Sequence, residues 1–181
     1  MLKNKNILIG VTASIAAYKA AILVRSFQDK GANVKVIMTP FSEEFITKTT
    51  LSALSGHPVY SDFFKKEDGG WNSHVDLGSW ADLLIIAPAT ANTIAKMVSG
   101  IADNLLLATY LSSRNTVFVA PAMDAKMFEH PATQQNIKAL IKQGIQIIEP
   151  ASGHLASGLK GKGRMQEPDI IVDKIEAYFS S

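Results

Sequence analysis

Four short runs of this chain are apolar almost from end to end: NILIGVT (6–12), NVKVIMT (33–39), ADLLIIAPA (81–89) and TVFVAPAM (116–123). A strand with one wet face alternates apolar and polar residues, whereas a strand covered on both faces does not. The segments between these runs carry a different period. In SIAAYKAAILVRSFQDKG (14–31), Ala20, Leu23, Val24 and Phe27 recur at i, i+3, i+4 and i+7, one face of a helix. PATQQNIKALIKQG (131–144) likewise puts Ile137, Leu140 and Ile141 on one side, and Gly31 and Gly144 stand where the two helices should stop. Buried strands alternating with amphipathic helices predict an α/β fold, a three-layer Rossmann-like or flavodoxin-like domain with a mostly parallel sheet and right-handed crossovers.

The remaining segments fit that frame. PFSEEFITKTTLSALSG (40–56) is expected as a second helix with Pro40 and Ser42 near its start. PVY (58–60) is expected as a short strand, followed by a polar loop through Gly69 and Gly70. TIAKMVSG and DNLLLATYLSS are helical, IQIIEP (145–150) is a last strand, and 151–167 is a loop. PDIIVDKIEAYFSS is a terminal helix with Pro168 in its first turn. With no repeat and no low-complexity linker, residues 1–181 are expected to form one domain.

Composition removes several function classes. Apolar residues at 47% and charged ones at 19% give a globular rather than a disordered chain. A net charge of +2 offers no electrostatic case for nucleic acid or an anionic membrane, and the most basic stretch, LKGKGRM, is short and spaced by glycines. There is no cysteine, hence no disulfide frame, no thiolate metal site and no cysteine nucleophile. MLKNKNILIG reads as a first strand rather than a secretory signal, no apolar run is long enough to span a bilayer, and a cytoplasmic location is expected. His57, His74, His130 and His154 form neither an H-E-x-x-H pair nor a carboxylate–histidine cluster, so no metal is expected.

Ligands of open α/β sheets bind beyond the carboxyl ends of the strands. The segments there are TASIAA (12–17), TPFS (39–42), PATANT (88–93) and PAMDAKM (121–127), all rich in small or hydroxyl-bearing residues. Where they open helices, free N–H groups and a partial positive charge suit a phosphate, and Ser14 and Ser42 add hydroxyl donors. Neither G-x-G-x-x-G nor G-x-x-x-x-G-K-[ST] is present, which suits FMN better than ATP or NAD. The same hydroxyls serve equally as ordinary helix caps. Imidazole is the side chain suited to proton transfer near neutrality, which makes His74 a candidate, although a lone histidine is more often a surface or satisfied core residue. Met123 and Met127, four apart, read from spacing alone as core residues.

In combination these motifs resemble a known family. APATANTIAKMVSGIADNL is similar to the PASANT-type motif of the homo-oligomeric flavin-containing cysteine decarboxylases, and PAMDAKMF to their P-x-M-N-x-x-M-[WY] motif. SHVDLGSWAD resembles the segment carrying their active-site histidine. ASGHLASGLKGKGRMQEP resembles the substrate clamp of the members that act on 4'-phosphopantothenoylcysteine in coenzyme A biosynthesis. GVTASIAAYK and MTPFSEEF resemble their two phosphate-side loops, so the similarity runs through the whole chain in order.

The resemblance implies an FMN-dependent decarboxylase that assembles as a trimer or as a dodecamer built from trimers, with the flavin near a subunit interface. It implies that Ala89, Thr90, Ala91, Asn92 and Thr93 hold the flavin ring, and that Ala13, Ser14, Thr39 and Ser42 hold its phosphate. His74 is implied as catalytic acid/base. Met123, Asp124, Met127, Ala156, Lys160, Lys162 and Arg164 are implied at the substrate, with Asp124 and Ser157 at positions the family uses in catalysis.

Two positions depart from the family pattern. Where the clamp reads A-C-G, this chain has Ala156, Ser157 and Gly158; where the P-x-M-N motif has asparagine, it has Asp124. A hydroxyl is a far weaker acid than a thiol, and an ionised aspartate repels a substrate carboxylate unless it is protonated or accepts from the substrate amide N–H. Loss of the clamp cysteine also fits a peptidyl-cysteine decarboxylase that stops at the enethiol. A flavin prenyltransferase and a non-catalytic flavin-binding regulator are further alternatives. The chain is expected either to stand alone or to be the decarboxylase half of a fused decarboxylase–synthetase.

Overall fold

The computed structural model describes residues 2–64 and 70–180; residues 65–69 of the polar loop expected after Tyr60 lie outside them. The first half of the sheet comes from β1 (Asn6–Val11), β2 (Asn33–Met38) and the two-residue β3 (Val59–Tyr60). The second half comes from β4 (Leu83–Ala89), β5 (Thr116–Pro121) and the two-residue β6 (Gln146–Ile147). All pair in parallel, in the order β3-β2-β1-β4-β5-β6. The chain winds outward from β1 in one direction and then from β4 in the other, so a topological switch point lies between these two strands.

Side-chain alternation along the strands builds one core on each face. Ile7, Ile9 and Ile85 pack with Val24 and Phe27 of α1 (Tyr18–Asp29) and with Ile171 and Ile175 of α8 (Pro168–Ser180). On the other face, Leu8, Leu84 and Ile86 pack with Leu105–Leu107 of α5 (Leu105–Ser112) and with Ile137 and Leu140 of α7 (Pro131–Lys142). Each fully buried Leu or Ile contributes roughly 1.5–3 kcal/mol. All seven residues of β4 are buried, so the central strand tolerates no polar face. Gly10 is part of the same fit, because a Cβ there would lie 2.5 Å from the Leu106 side chain.

The structure differs from the sequence expectations in five places. The helix expected over 40–56 is a 3-10 turn (Pro40–Glu44) and a separate α2 (Lys48–Ser55). Thr47 divides them: its hydroxyl accepts the Thr50 N–H at 3.1 Å and so caps a new helix instead of continuing an old one. Two short helices were not expected, α3 (His74–Trp80), capped by Ser73, and α6 (Ala125–Glu129), capped by Asp124. The last strand shrinks to Gln146–Ile147. The expected loop over 151–167 instead contains an antiparallel hairpin, β7 (Ala151–His154) with β8 (Lys160–Arg164). Its glycines and lysines carry no apolar alternation, and the hairpin is anchored by the turn after β5, where the Met123 N–H donates to the Gly163 carbonyl at 3.0 Å.

Candidate functional site

The tips of β1 and β4 are joined by one side chain. The buried Thr12 hydroxyl donates to the Pro88 carbonyl at 2.7 Å and accepts from the Thr90 N–H at 3.1 Å. Next to it the tip of β5 is held by the Ala122 N–H donating to the Ala89 carbonyl at 3.0 Å. Thr90 also caps α4 (Ala91–Ser99), its hydroxyl accepting from the Thr93 N–H at 3.2 Å and donating to the Thr93 hydroxyl. Ser14 plays the equivalent part after β1, accepting from the Ala16 N–H at 3.2 Å ahead of a 3-10 turn (Ile15–Ala17). Capping and ligand approach are thus not alternatives: the hydroxyls organise the turns, and the turns face a cavity.

That cavity has a volume of about 790 Å³ and opens at the switch point, within the size range of small-molecule and cofactor sites. One part of the lining comes from Ala13, Ser14, Ile15, Ala16 and Tyr18 after β1 and from the small residues Thr90, Ala91 and Asn92 after β4. Another part comes from the turn after β5, with Met123, Asp124 and Met127, and from the hairpin, with His154 to Ser157 and Gly163 to Met165. Both methionines line the cavity, but the spacing-based assignment to the core fails only for Met127, which is half exposed; Met123 packs against the core of the second face.

The hairpin meets its supporting turn closely. Gly163 has φ near +151°, and a Cβ there would lie 2.4 Å from the Met123 carbonyl oxygen; at Gly161 it would lie 2.7 Å from the Ala125 Cβ. Asp124 and Ser157, the two departures from the family motifs, touch: the Ser157 hydroxyl donates to Asp124 Oδ2 at 2.6 Å. Asp124 Oδ1 accepts the Lys126 N–H at 3.0 Å. The hydroxyl bond first, and the backbone bond second, hold the Asp124 carboxyl below the ordinary aspartate range. Both bonds favour the ionised carboxylate.

Lys19 is the residue that sequence reasoning missed. It lies on the apolar face of α1, is 2% exposed and lines the cavity. Its ammonium donates to the Met165 carbonyl at 2.8 Å and to Glu167 Oε1 at 3.0 Å, and Arg164 reaches the same oxygen at 3.1 Å. Its signal was a lysine beside Ala20 within a buried helical stripe.

Other expected residues stand away from the cavity lining. Ser42 is fully buried and its hydroxyl donates to the Thr39 carbonyl at 2.6 Å, closing its own turn. Thr39 is buried beside Val11, and this segment gives the cavity Phe45 instead. Ala89 and Thr93 are buried behind the lining, as supports for the β4–α4 turn. Lys162 pairs with Glu149 at 2.6 Å, and Lys160 is exposed outside the lining. His74, at the start of α3, is also outside it. Its ring meets Trp71 and Phe63 edge-on at centroid distances of 6.0 and 6.4 Å, and its Nδ1 is buried with no hydrogen-bond partner. Among the described residues no group of three or more His, Asp or Glu is placed to hold a metal ion.

Residues 1–180 match the Flavoprotein family. The chain belongs to that family. It is 47% identical over 180 residues to the coenzyme A biosynthesis bifunctional protein CoaBC of Bacillus subtilis, covering 99% of this chain and 44% of the relative. The chain thus spans less than half the length of that flavoprotein. It is 63% identical over 135 residues, 75% of this chain and 38% of the other, to a cysteine/cysteine sulfinic acid decarboxylase of an unknown prokaryotic organism. Among solved structures it resembles a PPC decarboxylase variant complexed with pantothenoylaminoethenethiol, with a TM-score of 0.89, 32% identity, and 99% and 100% of the two chains covered. Among the described residues no helix is long and apolar enough to cross a membrane.

Proposed function

We propose that this flavoprotein is an FMN-dependent carboxy-lyase that converts 4'-phosphopantothenoylcysteine to 4'-phosphopantetheine and CO2 in coenzyme A biosynthesis. The supporting observation is the cavity at the β1–β4 switch point, built from the segments that carry the family's flavin and substrate motifs. Its dimensions and donor set fit FMN. Ala13, Ala16 and Ala91 leave room for a flat ring against the backbone, while the first turn of α4 and the Ser14 turn present N–H groups to the ring edge and phosphate. When bound, FMN supplies the reversible two-electron oxidation that makes the sulfur-bearing carbon an electron sink for CO2 loss.

The protein's own part is positioning and proton transfer. Lys19 and Arg164, both on Glu167, hold the hairpin across the cavity mouth and favour an anionic ligand. Met123 and Met127 form the apolar floor against which the substrate thiol lies. His74 is the acid/base. Because it stands outside the cavity of its own chain, it serves the cavity of a neighbouring copy in a cytoplasmic homo-oligomer, a trimer or dodecamer. The exposed apolar side chains of Trp71 and Val75 beside it support an interface there. In this reading residues 1–181 are one decarboxylase domain, corresponding to part of the bifunctional relatives.

The test is to offer FMN to the protein, record the flavin absorbance, and identify by mass the product made from 4'-phosphopantothenoylcysteine. Phosphopantetheine is expected. An enethiol two hydrogens lighter would move the reading to the enethiol-releasing decarboxylases, and failure to take up FMN would end it.

A further inference from the structure

The chain has six methionines and no cysteine, so thioethers are its only sulfur nucleophiles. Among the described residues three of them are closed to solvent: Met38 and Met165 are 0% exposed in the core of the first face, and Met97 is 2% exposed in that of the second. Met123 is partly buried against the second core. Met127 stands apart from these four, at 50% exposed and on the cavity lining. Its position follows from α6 itself. Ala125 and Phe128, three residues apart, take the buried side of this short helix, and Met127 is left to the cavity. No thiol competes there, because the clamp position that carries cysteine in relatives is Ser157, which lines the same cavity.

We propose that Met127 is the oxidation site of this protein: hydrogen peroxide from solution converts its thioether to the sulfoxide, and the modified side chain weakens substrate binding. The sulfur lone pair attacks one peroxide oxygen and forms the S–O bond. The O–O bond breaks, the second oxygen leaves as water once it has taken the proton from the new S–OH group, and sulfur is oxidised by two electrons. Hydrogen peroxide is the only co-reactant. Conversion turns a flexible apolar side chain into a polar, chiral one, and methionine sulfoxide reductases, one for each epimer, reverse it. The effect on binding rests on the decarboxylase reading, which places the substrate thiol against Met123 and Met127. A sulfoxide oxygen there replaces apolar contact with a polar group for which the substrate thiol is only a weak donor.

The experiment exposes the FMN-loaded full chain to hydrogen peroxide and maps the methionine peptides by mass over time. Oxygen should enter at Met127 roughly tenfold faster than at Met38, Met97 or Met165, and faster than at Met123. Calorimetry with the unreactive serine analogue, 4'-phosphopantothenoylserine, should give about fivefold weaker binding to the oxidised protein. KM for 4'-phosphopantothenoylcysteine should rise by a similar factor, with flavin absorbance unchanged. Treatment with both reductases should restore affinity in step with the loss of oxygen from Met127. Met127→Leu, compared with its own untreated value, should keep its affinity through the same exposure. Oxidation of the buried methionines at the Met127 rate overturns the proposal. So does an affinity that falls in step with Met123, or one unmoved by complete oxidation of Met127. If the untreated protein neither turns over the substrate nor binds the analogue, the decarboxylase reading falls, and the peptide map still decides whether Met127 is the site of oxidation.

Discussion

Ser157 on the hairpin donates its hydroxyl proton to Asp124 at the turn after β5, 2.6 Å away and 33 residues apart in sequence. The two positions at which the chain leaves its family's motifs are thus one contact. A hydroxyl that donates to a carboxylate fixes the carboxylate's charge, and with it the chemistry of the cavity wall.

Replacing Ser157 with alanine should raise the Asp124 pKa, because the hydroxyl bond is the largest cause of its depression. A carbon-detected NMR titration of the Asp124 carboxyl reads this directly. The linkage has a definite sign: a carboxyl with a lowered folded-state pKa contributes stability above its unfolded pKa and loses it as pH falls through the folded value. Urea unfolding at neutral and strongly acid pH should therefore show a smaller acid-side loss in Ser157→Ala than in wild type. An unchanged Asp124 titration would remove the contact from the account.

Gly163 and Gly158 both have positive φ, near +151° and +82°, but only one of them is crowded. Gly163→Ala forces a methyl against the Met123 carbonyl and strains the backbone, so it should cost about 1–3 kcal/mol. Gly158→Ala meets nothing within 4 Å and pays only the left-handed backbone cost, about 1–2 kcal/mol. Hydrogen exchange should separate them further: β8 amides lose protection in Gly163→Ala and largely keep it in Gly158→Ala.

Lys19→Met keeps the length of the buried stem and removes the ammonium. The Met165 carbonyl then loses its donor, and Glu167 keeps only Arg164. Since Glu167 is partly exposed, the expected loss is about 1–3 kcal/mol in urea unfolding. FMN affinity should fall as the hairpin loosens, whereas a variant that unfolds and binds FMN like wild type would contradict the part assigned to Lys19.

Thr12→Val preserves shape and deletes the hydroxyl between β1 and β4. It leaves the Pro88 carbonyl and the Thr90 N–H without that partner, at an expected cost of about 1–3 kcal/mol. The β4–α4 turn should loosen with it. Fluorescence titration with FMN is then expected to give a several-fold higher Kd, and an unchanged Kd would show that the bridge supports the fold alone.

Periodicity made the frame legible. Runs such as LLIIAPA, whose seven residues are all buried, fit the covered middle of an α/β sheet, and the face of Ala20, Leu23, Val24 and Phe27 packs as its spacing implies. Short polar elements were not legible. The hairpin strands ASGH and KGKGR carry no alternation, and α3 and α6 are too short to show a helical period.

What the sequence alone determined was the order of the apolar strands and the longer helices, the two apolar cores and the end of the sheet at which the cavity opens, because each follows from local period and chain direction. Which hydroxyls face the cavity, and which charges remain unpaired there, was decided only by tertiary structure. Ser14 lines the cavity while Ser42 closes its own turn; Lys19 finds Met165 across 146 residues, and Ser157 finds Asp124. Hydrogen bonds and ion pairs act over a few ångströms, and proximity of that kind between distant segments exists only once the chain has folded.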